Sequence, residues 1–213
     1  MNANATVESL ERAIRAELTE RILPFWGQHA LDPVNGGYHG RIGADGTPDP
    51  HSPRGGILNA RILWAFSAAH RALGNDGTRA LADRARDEVV SRFLDLDYGG
   101  LYWMVDSRGR PLDDRKHVYA QAFAIYALAE HHRATGDENS LRRASDLFRL
   151  LDEHAHDPEH GGYHEAFARD WAPLADARLS ARDLDAPKSE NTHLHLLEAL
   201  TTLYRVRPDP MVA

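Results

Sequence analysis

Apolar residues recur every three to four positions in six stretches of the chain, with polar residues between them. In the first stretch the apolar stripe consists of Leu10, Ile14, Leu18 and Ile22. This spacing places the apolar side chains on one face of an α-helix. The six predicted helices span residues 8–25, 57–72, 79–94, 117–134, 138–154 and 190–205.

The number of charged residues alternates between these six helices. In chain order they contain 7, 2, 7, 2, 7 and 3 residues of the types Asp, Glu, Lys and Arg. A helix with few charges buries most of its surface, because its apolar atoms would otherwise face water. The first, third and fifth helices are therefore predicted to face solvent, and the second, fourth and sixth to be nearly enclosed.

A turn sequence with two adjacent glycines occurs three times. The pairs Gly36-Gly37, Gly99-Gly100 and Gly161-Gly162 lie 63 and then 62 residues apart, each after an Asp and within two residues of a Tyr. Such regular spacing indicates an internal repeat. The short stretch Tyr102-Trp103-Met104-Val105 leads into a turn at Arg108-Gly109, which predicts small β-hairpins in the long loops.

Long connections precede the enclosed helices, and short connections follow them. The long loops therefore collect at one end, and the enclosed helices run parallel with their N-termini at a common rim. Three hairpins of one outer and one inner helix predict an all-α fold, an arc of an α/α toroid.

The composition excludes several classes of function. The chain has 25 Lys and Arg against 32 Asp and Glu, a net charge of −7, and no basic patch, so nucleic acid is not an expected partner. The lack of cysteine rules out disulfides, thiolate metal sites and a cysteine nucleophile. No stretch approaches the roughly 18 apolar residues of a membrane span and no signal peptide is evident, so a cytoplasmic protein without membrane contacts is expected.

Polar residues in the first turns of the enclosed helices are the candidates for binding or catalysis. They are Asn59, Arg61, Tyr119, Gln121, Asn191, Thr192, His193 and His195. Asn191 and His195 share a helix face, whereas His193 points roughly 160° away from His195 at 100° per residue. The alternative is a structural role, with Arg61 paired to a buried acid and the histidines bonded to backbone carbonyls.

Four histidines crowd the third glycine pair, namely His154, His156, His160 and His164. They lack carboxylates at a ligand spacing such as that of the two-histidine zinc helix. No nicotinamide-binding motif is present either. We therefore expect neither a metal nor a cofactor.

Three segments resemble cellobiose 2-epimerases of the N-acylglucosamine 2-epimerase superfamily. They are LNARILWAFSAAHRA (residues 58–72), KHVYAQAFAIYALAEHH (residues 116–132) and KSENTHLHLLEALTTLYR (residues 188–205). The resemblance covers nearly the whole chain but only about the first half of the family's domain. It implies three of the six hairpins of an (α/α)6 barrel, with residues 1–213 as the N-terminal half of a single domain.

The resemblance also implies roles for four residues. Arg61 corresponds to an arginine near the C1 and C2 oxygens of the reacting sugar, and His195 to one of three histidines around the reducing-end sugar. Tyr119 and Asn191 correspond to substrate-binding residues. Histidine suits proton abstraction at C2 through an enediol, since its pKa lies near neutrality. The family's other two histidines belong to the second half, so the 213-residue chain is expected to be weak or inactive.

Other interpretations remain open. An α/α-barrel glycoside hydrolase would need two carboxylates roughly 6.5–9.5 Å apart at the rim, where only Glu190 is acidic. A non-catalytic carbohydrate-binding scaffold of helical repeats is the third possibility. The uncovered faces of a half ring predict either a homodimer or completion by a missing C-terminal half. The sugar, and whether the product is an epimer or a ketose, stay open.

Overall fold

The computed structural model describes residues 3–179, 182 and 184–212 and contains the six predicted helices. Two of them continue through a π-helical turn. The helical elements are α1 (Ala3–Glu17), the π-turn Leu18–Ile22, α2 (Leu23–His29), α3 (Gly56–Leu73), α4 (Asp76–Glu88), the π-turn Val89–Phe93, α5 (Val118–Thr135), α6 (Glu138–Ala155) and α7 (Glu190–Val206). The first predicted helix is therefore longer than its apolar stripe indicated.

Local signals set the boundaries between inner and outer helices. Helices α3 and α5 end at Gly74 (φ 64°) and Gly136 (φ 76°), a left-handed conformation in which other residues are strained. The following residues, Asn75 and Asp137, accept backbone N–H bonds and so cap α4 and α6. Short turns thus join α3 to α4 and α5 to α6 as helical hairpins.

Helices α3, α5 and α7 form the inner layer, with α5 in the middle, and α4 and α6 pack outside on α3 and α5. Arg61 contacts Phe123 near the start of α3 and α5, and Arg71 contacts Glu130 near their ends. The inner helices α3 and α5 are therefore parallel, as predicted.

Burial differs from the prediction at one edge of this layer, helix α7. Helix α5 is enclosed, but α7 exposes Leu194 (61%) and Leu197 (64%). The stripe of the first helix is also exposed, at 60% for both Leu10 and Ile14. The predicted enclosure is therefore wrong for this face of α7, because among the described residues α7 has an inner neighbour, α5, on one side only. The exposure of the first helix agrees with its predicted position facing solvent.

The long loops contain short strands that join neighbouring repeats. In one antiparallel sheet β1 (Arg54–Gly55) pairs with β2 (Met104–Val105), which pairs with β3 (Pro111–Asp113). In the other, β4 (Lys116–His117) pairs with β5 (Ala166–Phe167). In the described part of the chain, β2 and β3 are the one pair of strands that forms a hairpin of the predicted kind. The remaining pairs connect the first loop to the second and the second to the third.

Each glycine-pair turn is fastened to the start of an inner helix by an ion pair. The turn aspartates Asp32, Asp95 and Asp157 each accept two backbone N–H bonds within the turn. Their partners Arg54, Lys116 and Lys188 stand two residues before α3, α5 and α7, at 2.7, 2.9 and 2.5 Å. The repeat found in the sequence therefore includes a basic residue that sequence reasoning missed.

The described residues include no helix that is both long and apolar enough to cross a bilayer. They also include no group of three or more His, Asp or Glu residues placed to hold a metal ion. The cytoplasmic location expected from the sequence stays a prediction.

Candidate functional site

Three side chains at equivalent positions of the inner helices form a row across the inner wall. Arg61, Phe123 and His195 each stand five residues after the first residue of α3, α5 or α7. The Arg61 guanidinium lies 4.8 Å from the centre of the Phe123 ring, and the centre of the His195 ring lies 4.5 Å from the same point. Parallel packing in register thus connects Arg61 to His195 through one aromatic ring.

Tyr119 joins this row from the rim side. Its ring stands edge-on to His195 at 4.9 Å and lies 5.1 Å from Phe123. We call Arg61, Tyr119, Phe123 and His195 the inner-wall cluster. The structure therefore brings together three of the four residues singled out in the sequence. It adds Phe123, which periodicity alone marks only as a core position.

Asn191 takes no part in the described contacts that define the inner-wall cluster. It is exposed at the first turn of α7 and lines a cleft of about 280 Å³ together with Glu165, Lys188 and Ser189. Among the described residues its side chain has no hydrogen-bond partner. Asn191 is one turn before His195, so it extends the same helix face toward the rim.

Glu198 completes the surroundings of His195. Its Oε2 lies 2.8 Å from His195 Nδ1, one turn further along α7. Burial raises the pKa of Tyr126, and the charge of Glu198 raises it further. Glu198 is therefore close enough to Tyr126 of α5 for its charge to act there. The H-x-x-E spacing in the sequence was a signal for this pair that sequence reasoning did not use.

Several other rim residues have structural roles instead. His193 donates from Nδ1 to the Ser189 carbonyl and accepts from the Tyr163 N–H at Nε2, so both ring nitrogens are used. A side chain at Gly162, which has φ 76°, would come within 2.6 Å of that Nε2. Gln121 likewise bonds both backbone groups of Leu101. For these residues the structural interpretation holds.

Below the cluster the wall is aromatic and apolar. Trp64 and Tyr126, three residues beyond Arg61 and Phe123, lie 5.2 Å apart. A cleft of about 580 Å³ beside α3 runs from Trp26 and Leu58 past Arg61 and Trp64. Aromatic faces can stack on the C–H faces of a sugar, while the guanidinium of Arg61 can donate to an oxygen that gains negative charge.

Comparison with known proteins shows what this arrangement resembles. Residues 36–211 match the family model described as N-acylglucosamine 2-epimerase. The cellobiose 2-epimerase of Bacteroides fragilis is 46% identical over 202 residues, which are 95% of this chain and 52% of that protein.

Solved structures of cellobiose 2-epimerases show the same similarity at the level of the fold. The cellobiose 2-epimerase of Spirochaeta thermophila superposes with a TM-score of 0.92 at 39% identity, over 100% of this chain and 52% of the other. That of Bacillus thermoamylovorans gives a TM-score of 0.92 at 41% identity, over 96% and 53%. The predicted fold, about half of an (α/α)6 barrel, is confirmed. The chain spans about half the length of the relatives it matches, and it belongs to the N-acylglucosamine 2-epimerase family.

Proposed function

We propose that this chain supplies the N-terminal half of the active site of a sugar 2-epimerase or isomerase. The observation that supports it most directly is the row from Arg61 through Phe123 to His195, with Tyr119 beside it. The row places a cation and an acid–base group on one wall, among aromatic rings. The proposed substrate is a free aldose or the reducing-end glucose of a disaccharide such as cellobiose.

The proposed chemistry proceeds through an enediol. With the sugar ring open, the proton at C2 leaves to a histidine, the electron pair of the C–H bond forms a C1–C2 double bond, and the π pair of the C1 carbonyl moves onto its oxygen. Arg61 stabilises the negative charge that develops there. A proton returned to the opposite face of C2 re-forms the C1 carbonyl and gives the epimer. Transfer of the proton of the C2 hydroxyl to the C1 oxygen, followed by protonation of C1, gives the ketose instead. His195 is the proposed acid–base residue of this half, and Tyr119 and Asn191 bind the sugar hydroxyls.

We propose that residues 1–213 are half of a single barrel domain and that three further hairpins close it. The relatives are about twice as long as this chain. Apolar side chains are exposed at both edges of the arc, such as Leu10 and Ile14 on α1 at one edge and Leu194 and Leu197 on α7 at the other. A closed barrel would bury both edges. We therefore expect the 213-residue half alone to have weak catalytic activity or none.

Sugar binding and turnover test the function. Binding of cellobiose and glucose, followed by saturation-transfer NMR, should weaken about tenfold in Arg61→Gln and in His195→Asn, equivalent to about 1.4 kcal/mol. Arg79→Gln, on the outer helix α4, should bind like the wild type. Equal binding by all variants contradicts the proposal.

Release of free monosaccharide from cellobiose, rather than a product of unchanged mass, would favour the glycoside hydrolase alternative.

Sedimentation velocity tests how the ring is completed. We expect the chain alone to sediment without a discrete dimer, because the relatives, of which this chain covers 52%, carry their remaining length in the same polypeptide. Leu197→Glu on the exposed face of α7 should leave the sedimentation coefficient unchanged. A stable dimer that Leu197→Glu dissociates would show instead that a second copy closes the ring about a two-fold axis. Glucose epimerisation by the wild-type chain at the 1–10³ s⁻¹ of ordinary enzymes would overturn the expected inactivity.

A further inference from the structure

His195 and Glu198 form a hydrogen-bonded pair on the face of α7 that carries the inner-wall cluster. His195 Nδ1 and Glu198 Oε2 are 2.8 Å apart, and the two side chains are 21% and 51% exposed. A pair of this kind on a helix surface contributes little to the stability of the fold. The pair therefore has little effect on the stability of the fold. Its more informative effect is on which nitrogen of the imidazole ring carries the proton.

The pair determines which ring nitrogen of His195 carries the proton. An ionised carboxylate only accepts hydrogen bonds, so the neutral imidazole must donate from Nδ1. Nε2 is then the nitrogen with the free lone pair. In the described part of the chain Nε2 has no hydrogen-bond partner.

Neighbouring rings restrict the orientation of the imidazole further. Phe123 lies against it at 4.5 Å with an interplanar angle of 41°, and Tyr119 stands edge-on at 4.9 Å. Neither contact uses a ring nitrogen as a hydrogen-bonding group. Glu198 is thus the one described side chain that bonds to the His195 ring.

From this geometry we infer that Glu198 is a positioning residue: it holds His195 in the tautomer that presents Nε2 as a proton acceptor toward an open-chain aldose. The inference rests on the proposed function for the identity of the proton donor, but the tautomer itself does not. Glu198 need not contact the sugar, since it acts through Nδ1.

Long-range ¹H–¹⁵N NMR of histidine-labelled protein at pH 8 tests the inference. The His195 signals are assigned by their loss in His195→Asn. We expect the Nδ1–H tautomer to dominate in the wild type and Glu198→Ala to shift the ring toward the Nε2–H form. Glu198→Gln should retain much of the wild-type tautomer, because its amide oxygen still accepts. Glu190→Gln, in the first turn of the same helix, serves as the control.

Two results would overturn the inference: a wild-type His195 that is mainly Nε2–H, or a tautomer that Glu198→Ala leaves unchanged. Circular dichroism checks that the Ala variant is folded, so that a shift reflects the lost bond. These readouts need no sugar. Failure of the proposed function would appear instead as sugar binding that His195→Asn does not change.

Discussion

Arg54→Met should lower the free energy of unfolding by about 3–5 kcal/mol, since it leaves two buried carboxylates without their cation. Arg54 is 1% exposed and contacts Asp32 at 2.7 Å and Glu88 at 2.6 Å, which are themselves 1% and 5% exposed. It also donates to the Gly36 carbonyl. Such a loss is a large part of the roughly 5–15 kcal/mol that stabilises a typical domain.

Urea unfolding followed by far-UV circular dichroism at pH 7 measures this loss. Lys188→Met is the matched control, because it removes the same contact in the third repeat, where Lys188 is 24% exposed. We expect that change to cost only about 1 kcal/mol. Combining Arg54→Met with Asp32→Asn and Glu88→Gln should recover part of the stability. If Arg54→Met costs no more than Lys188→Met, burial of the ion pair is not what stabilises the first loop.

The turn aspartates of these contacts are ionised at neutral pH in the folded protein. Burial alone would raise the pKa of Asp32, but hydrogen bonds from Asn35 and Val34 and the charge of Arg54 outweigh burial and hold the pKa at about 2. Asp95 behaves alike, since bonds from Arg169 and Lys116 overcome burial and keep its pKa far below the usual range. The turns are therefore built around ionised carboxylates.

Helix positions could be predicted from the sequence because their signals are local. The predicted ranges 138–154 and 190–205 differ by one residue from α6 (Glu138–Ala155) and α7 (Glu190–Val206). Helix α4 begins earlier than expected, at Asp76, because the Asn75 cap precedes the apolar stripe used to define the helix. The repeat of glycine pairs also follows from local sequence alone.

The contacts of the candidate site could be predicted only in part. The sequence placed Arg61 and His195 near the helix starts, but Phe123 joins them only because three helices pack in register. Likewise, Arg54 finds Asp32 across 22 residues of loop, a pairing that no local pattern specifies. The register between distant helices is set by their packing and not by local sequence. It determines which polar residues face the inner wall and which, like His193, form structural hydrogen bonds to a turn.

A buried histidine makes the stability of this fold sensitive to mild acid. His117 is 0% exposed, its ring lies 4.3 Å from that of Trp103, and neither ring nitrogen has a hydrogen-bond partner among the described residues. Burial, and then the nearby charge of Arg115, lower its pKa from 6.5 to about 4, while Asp113 opposes the shift. The folded protein therefore holds His117 neutral where the unfolded chain would bind a proton.

Lowering the pH should therefore reduce the free energy of unfolding more in the wild type than in His117→Phe. The stability that depends on neutral His117 is fully present above pH 6.5 and is lost as the pH falls toward 4, by about 2 kcal/mol between pH 7 and pH 5. Carboxylates with lowered pKa values, such as Asp32, lose their contribution only at lower pH. His117→Phe keeps the ring contact with Trp103 and removes two unpaired nitrogens, so its unfolding free energy should change about 2 kcal/mol less over this interval.

Urea midpoints at pH 7, 6 and 5 measure the difference between the two proteins. Taking the difference cancels other buried histidines, notably His131, whose pKa is also lowered by burial and which is present in both. His51→Phe, at an exposed loop position, should retain the full wild-type slope. Parallel curves for the wild type and His117→Phe would mean that His117 acquires its proton without unfolding, for example through solvent reaching the ring beside Trp103. The start of α5, which carries Tyr119 two residues later, would then be more open than its contacts indicate.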